Sequence, residues 1–294
     1  MPMDAKERDC FLEERRTQGA GLARRYRLNL RQPKVSGANG NWLGVGIGSS
    51  VDFQDHRPYA VGDDPRYINW QAYARSGEYT MKLYRDEVSP AVDLVFDCSL
   101  SMCVAPEKLG AALALFYFCA ESVVEQGGAL KCYAVDENAC RPLSMESVLG
   151  GRWLKWAEGE AKGLLPKFES IPWRPQSARI LVSDLLYPGM PNELLPRFGM
   201  GASWKAIVRV YSQEEENPSW NGGMKLVDSE TKRERILYCD QSLLEAYRLN
   251  YEKHFSLWND YARRNAVALL SVKDDLALAA QLGRAGVASG LIAV

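Results

Sequence analysis

The chain has 294 residues, enough for one large domain or two modest ones with a buried core. Its formal charge of −1 offers no global field to nucleic acid or anionic lipid, and with only His56 and His254 a zinc site or a histidine-rich catalytic centre is disfavoured. Seven cysteines, an odd number without a Cys-x-x-Cys pair, read as reduced core thiols, and 47% hydrophobic with 25% charged residues is ordinary for a soluble globular protein.

The segment Met1 to Asp9 is charged and lacks the apolar stretch of a signal peptide. The longest apolar run, Leu109 to Ala120, contains Gly110 and is too short to span a bilayer, so a cytoplasmic protein without membrane insertion is expected. Ala5 to Leu30 has a helical pattern with Phe11, Leu12, Leu22, Tyr26 and Leu30 as apolar positions, and Gly19 and Gly21 predict a break into two helices. The basic residues Arg15, Arg16, Arg24, Arg25, Arg27, Arg31 and Lys34 lie close to Glu7, Glu13 and Glu14, which favours a solvated helix face over a nucleic-acid surface. Ser36 to Ser50 reads as a glycine-rich loop; its Gly44-x-Gly46-x-Gly48 follows no strand and lacks a lysine, so it is discounted as a phosphate loop.

Three extended segments follow, at 51–59, 67–74 and 79–85, the last alternating as a half-buried strand does. They interleave Arg57, Arg66, Arg75 and Arg85 with Asp52, Asp55, Asp63, Asp64, Asp86 and Glu87, and with Tyr59, Tyr67, Trp70, Tyr73 and Tyr84. An internal ion-pair and aromatic layer is the expected result, with a polar surface for a partner as the other reading. From Ala91 continuous apolar strands alternate with helices: strands at 91–96, 129–135, 178–183, 204–211 and 266–272, and helices at 109–124, 152–162, 243–264 and 275–282. This predicts an α/β domain with a mostly parallel central sheet covered on both faces, and 222–238 reads as an inserted hairpin. The expected division is 1–88, an N-terminal helical and short-strand extension, and 89–294, the α/β domain.

The candidate chemistry is Asp97-x-Ser99-x-Ser101, which follows the apolar strand Val92 to Phe96 directly. One carboxylate and two hydroxyls on a turn are hard oxygen ligands suited to Mg2+, with Mn2+ or Ca2+ as alternatives, and a strand's carboxyl end is where open α/β sheets bind ligands. Asp184 ends a second apolar strand at the same predicted edge and joins the set. The plain alternative is that these residues cap the next helix. No Ser stands in a Gly-x-Ser-x-Gly elbow and neither histidine has an evident Ser or Cys partner, which speaks against nucleophilic catalysis.

The run Asp52-Phe53 … His56-Arg57-Pro58-Tyr59 … Gly62-Asp63-Asp64-Pro65-Arg66-Tyr67-Ile68-Asn69-Trp70 … Ala74-Arg75, followed by Asp97-Cys98-Ser99-Leu100-Ser101-Met102, resembles domain-of-unknown-function family 58, as does the later Leu226-Val227-Asp228-Ser229-Glu230-Thr231. The resemblance covers most of the chain after about residue 35. It implies a Rossmann-like von Willebrand factor A-type domain with a metal-ion-dependent adhesion site, in which Asp97, Ser99 and Ser101 match the first motif and Asp184 the later aspartate. That pattern also expects a Thr between them; none occurs from Met102 to Glu230, and Ser144, Ser147 and Ser170 are the substitutes on offer. The implied function is a non-catalytic protein-binding module whose partner is a MoxR-type AAA+ ATPase or its client. The alternative is a metal-dependent phosphoesterase using Asp97 and Asp184.

Overall fold

The computed structural model describes residues 5–30, 51–86, 89–150, 153–154, 165–195 and 197–293. They fall in two compact units, Met1–Lys34 with Pro90–Val294, and Val35–Ser89. The expected loop at 36–50, and all of the expected helix at 152–162 except Trp153 and Leu154, lie outside the described residues. Helix α1 (Ala5–Arg25) opens the larger unit and runs unbroken through Gly19 and Gly21, against the expected break.

The smaller unit contains β1 (Val51–Pro58), α2 (Trp70–Ser76) and β2 (Thr80–Asp86). The two strands pair antiparallel from Val51 opposite Asp86 to Pro58 opposite Thr80, with an irregularity between Phe53 and Asp55. The extended segment expected at 67–74 is corrected. Pro65–Tyr67 is a 3-10 turn and Trp70–Ser76 is helical. Asn69 Oδ1 caps that helix on Ala72 N–H (3.2 Å), and Gly77, at φ 73°, ends it in left-handed backbone. The aromatic spacing that mimics a strand builds a stack instead: the Tyr73 and Tyr79 rings lie 4.5 Å apart, and Trp70 stands edge-on to both. The expected internal ion-pair layer is also corrected where side chains are described. Arg57, near the end of β1, grips Asp63 with two bonds (2.6 and 2.7 Å) and Arg66 grips Asp64, both contacts local in sequence, and Arg66 is 84% exposed. Solvent screens pairs of this kind.

In the larger unit the sheet strands are β3 (Ala91–Asp97), β4 (Ala129–Val135), β5 (Cys140–Leu143), β6 (Ala178–Ser183), β7 (Trp204–Tyr211) and, after a hairpin of β8 (Gly222–Val227) and β9 (Glu234–Cys239), β10 (Ala268–Lys273). Their order across the sheet is β10-β7-β6-β3-β4-β5, parallel throughout except for β5, which pairs antiparallel with β4. Counted within this sheet alone the order is 3-2-1-4-5-6, the doubly wound Rossmann-like arrangement. Each central strand is apolar on both faces because both are covered. Leu94 and Phe96 of β3 enter one core cluster with α3 (Pro106–Glu125), while Val95 enters the other with Phe255 and Trp258 of α7 (Gln241–Arg264). Short helices α4 (Met145–Gly150), α5 (Pro191–Leu194), α6 (Gln213–Glu216) and α8 (Leu278–Gln281) fill the connections. No helix among the described residues is long and apolar enough to cross a membrane.

Helix α3 is buried almost all round, which explains its nearly continuous apolar sequence. One side lies on the sheet and another carries α1, whose Leu12, Gly19, Leu22 and Ala23 form the buried stripe. The sequence reading sets α1 in an extension of residues 1–88; in the structure it packs within the unit of the sheet. Gly19 permits this approach, since a Cβ there would stand 2.6 Å from Tyr117 Cβ and 2.7 Å from Ala114 O. Gly21 faces open space.

The two glycines therefore separate by mutation. Gly19→Ala is expected to lower the unfolding free energy by about 1–3 kcal/mol through overpacking. Gly21→Ala is expected to raise it by about 0.4–1 kcal/mol through helix propensity and unfolded-state entropy. Urea unfolding of the two variants beside the parent checks both signs.

Candidate functional site at the sheet switch point

Strands β3 and β6 are neighbours from which the chain departs in opposite directions, toward β4 and toward β7. The crevice beyond the carboxyl ends of such a pair is where doubly wound sheets bind ligands. Asp97 is the last residue of β3 and Asp184 directly follows β6; both have no exposed surface, and Ser99 and Ser101 are 4% and 9% exposed. The structure thus brings the four sequence-predicted residues to one edge.

Asp97 is held on both oxygens. Oδ1 accepts Ser99 N–H (2.9 Å), and Oδ2 accepts the hydroxyls of Ser183 (2.8 Å) and Tyr187. Burial, and then the charge of Asp184, push the Asp97 carboxyl up to about 7, against the pull of Tyr187, Ser99 and Ser183. The Ser99 and Ser101 hydroxyls stand 3.1 Å apart. Ser99 occupies the cap position of the 3-10 turn Leu100–Cys103 without a side-chain capping bond, and Ala105 caps α3, so capping is not what these hydroxyls do.

Asp184 is an ion-pair partner. Its Oδ2 accepts from Lys108 Nζ at 2.7 Å and its Oδ1 from Leu186 N–H at 3.0 Å. Leu185 between them sits in left-handed backbone at φ 60°, with its N–H on Ser183 Oγ. A non-glycine residue in that region is strained and is held there by its surroundings. Lys108 is 1% exposed and also donates to Glu215 Oε1 (2.5 Å) and to the carbonyl of Ser101 (3.1 Å). Burial pulls the ammonium down, and Asp184 and Glu215 together lift it above the ordinary lysine value. Glu215 is fixed by a reciprocal capping box with Ser212, and burial raises its carboxyl despite Lys108.

A further carboxylate reaches the same loop from the hairpin tip. Glu230 Oε1 accepts Ser101 N–H at 2.8 Å and Oε2 accepts Leu100 N–H at 3.4 Å. Asp228 braces the tip by accepting from the backbone N–H groups of Glu230 (2.9 Å) and Thr231 (2.7 Å), which pull its carboxyl below the usual range.

For a divalent cation, the hydroxyl separation of 3.1 Å suits neighbouring ligands in an octahedral shell with metal–oxygen distances of roughly 2.1 Å. Asp97, Ser99 and Ser101 fit such an ion as hard oxygen donors, and a cation beside them would favour the charged form of Asp97, which burial and then Asp184 disfavour. Asp184 differs, because Lys108 already neutralises it. Among the described residues no cluster of three or more His, Cys, Asp or Glu forms a metal site on its own. The serines weighed in place of a threonine make local bonds: Ser144 caps α4 on Ser147 N–H (3.1 Å), and Ser170 bonds the Lys167 carbonyl (2.9 Å).

Sequence reasoning misses Lys108, Glu215, Ser183 and Tyr187. Lys108 carries a signal, as a cation entering an otherwise apolar helix; Tyr187 carries none that spacing could find. In comparison with known proteins, the chain matches no family model, no curated protein and no solved structure.

A raised carboxyl makes folding favour the protonated form, so its stabilising contribution is complete below the unfolded value near 4 and is lost as pH rises through about 7. Asp97→Asn removes that loss while keeping an acceptor for Ser99 N–H. The variant is expected to be more stable than the parent at pH 8, by about 4 kcal/mol, with the two converging near pH 4. Chemical unfolding across that pH range measures the difference.

Proposed function

We propose that this chain is a non-catalytic protein-binding module of the von Willebrand A type, which receives an acidic side chain of its partner at the loop Asp97 to Met102. The observation that carries this reading is the seat of Glu230: the loop holds a carboxylate on two backbone N–H groups, at the switch point of a doubly wound sheet. In this reading Asp97, Ser99 and Ser101 would hold a divalent cation such as Mg2+, which supplies a Lewis-acidic seat for the incoming carboxylate. Asp184 acts through Lys108, positioning its ammonium against the carbonyl of Ser101 and so fixing the loop. The motif resemblance to domain-of-unknown-function family 58 supports a MoxR-type AAA+ ATPase, or a client that it remodels, as the cytoplasmic partner. Asp184, the second aspartate that a phosphoesterase would need at the cation, is already paired with Lys108, which weighs for binding over phosphoester hydrolysis.

Calorimetric titration of Mg2+ is expected to give a saturable heat with the parent, none with Asp97→Ala, and at least tenfold weaker binding with Ser101→Ala. Capture of a purified MoxR-type ATPase is expected to follow the same order. Identical heats in parent and Asp97→Ala would remove the cation, and unchanged capture by both variants would remove the loop as the binding face. Mg2+-dependent turnover of a phosphate ester, abolished by Asp97→Asn, would replace the binding module with the enzyme.

A further inference from the structure

A cleft of about 510 Å³ opens beside the carboxyl half of β7, between that strand, the segment after α6 and one face of α7. It shares no residue with the loop described above. Its floor is Arg209, 8% exposed, whose guanidinium lies 3.2 Å from the centre of the Phe255 ring and 4.5 Å from that of Tyr211. Among the described residues Arg209 has no carboxylate partner. Its one hydrogen bond goes to Tyr251 Oη (2.5 Å), and its Nε is buried without a partner. Arg248, one turn of α7 earlier than Tyr251, lines the same cleft; its Nε is likewise buried and unpartnered, and no acid pairs with it among the described residues.

The remaining lining charges are partly accounted for. Arg263 is engaged by Asp260 at 2.6 Å; exposed Glu216 shares Lys273 at 3.9 Å with Asp275 and, like Glu215, acts on Arg209 through its charge without an ion pair, so exposed Glu216 and Glu252 stand against two arginines that no carboxylate contacts. A buried guanidinium without a counter-ion is costly, and the ring faces orient Arg209 while leaving its charge in place. Two forked cations in one cleft match the two charges of a phosphate monoester better than the single charge of a carboxylate. Asn217 and Asn259 add neutral amide donors, and the Tyr251 side offers an apolar wall for an organic body. The volume is that of a small-ligand site.

We propose that this cleft binds an organic phosphate monoester, with Arg209 and Arg248 as its anion-holding pair. The proposal goes beyond the protein-binding loop and does not depend on it. Calorimetric titration with phenyl phosphate is expected to give one saturable site, at least tenfold weaker in Arg248→Gln and in Arg209→Lys. Gly21→Ala, on the open face of α1, is expected to bind as the parent does. Arg248 is only half-buried, so its variant keeps the test open if Arg209→Lys fails to fold. Benzoate is expected to bind at least fivefold more weakly than phenyl phosphate. A phosphotyrosine pentapeptide run in parallel separates the sources: tighter binding of the peptide assigns the phosphate to a partner's side chain, tighter binding of the free ester to a small molecule. Absence of saturable binding by either phosphate probe, equal binding of benzoate, or binding unchanged in a folded arginine variant overturns the proposal.

Discussion

The ammonium of Lys108 is the contact on which the carboxyl edge of the sheet depends. It leaves the first turn of α3, is almost wholly enclosed, and donates to the end of β6 through Asp184, to the loop after β3 through the carbonyl of Ser101, and to α6 through Glu215. Taking an ammonium out of water costs several kcal/mol, and three acceptors from three elements offset that cost only in this one arrangement. Lys108 therefore fixes the register of α3 on the sheet, and α3 in turn carries α1 on its outer side. The same cation answers an excess of acids. Asp97, Asp184, Glu215 and Glu230 gather at this edge, and the raised carboxyl of Asp97 reflects first its burial and then the charge of Asp184.

How far the sequence could disclose this follows from the range of each interaction. Strands β3 and β6 were legible because burial on both faces leaves largely apolar runs, β4 and β7 through the apolar stretches of their buried parts, and the aspartates were legible because they follow the β3 and β6 runs directly. Helix α2 was hidden by aromatic residues at strand-like spacing, although Asn69 and Gly77 mark its two ends. Gly19 misled for a related reason: a glycine in a helix signals either a break or a close neighbour, and only the tertiary packing against Tyr117 distinguishes them. The four-residue strand β5 is too short to carry a pattern.

The site divides in the same way. Asp97, Ser99 and Ser101 lie within five residues and present themselves as a motif. Lys108, Ser183, Tyr187, Glu215 and Glu230 reach the same place from four other parts of the chain, and no local rule brings them together. The distant residues also change the meaning of the near ones. Asp184, alone in the sequence, reads as another oxygen ligand; with Lys108 at 2.7 Å it is a counter-ion, and the positive charge at that point belongs to the protein itself.

Helix α6 is the element that the loop and the arginine cleft share. Glu215 turns to Lys108, while the next residue, Glu216, borders the cleft. Tyr247 donates to the Glu215 carbonyl at 2.6 Å and stacks on Tyr251, which in turn accepts from Arg209. Contiguity of this kind is not coupling in itself. What distinguishes α6 is how it is held: its four residues include no buried one, so packing contributes little to its position. Hydrogen bonds and charges set that position, through the Ser212 capping box, Lys108 on one side and Tyr247 on the other. An element held by electrostatics responds to nearby charge, and the last two residues of α6 face different ones: Glu215 the ionic cluster of Lys108, Glu216 the cleft of Arg209 and Arg248.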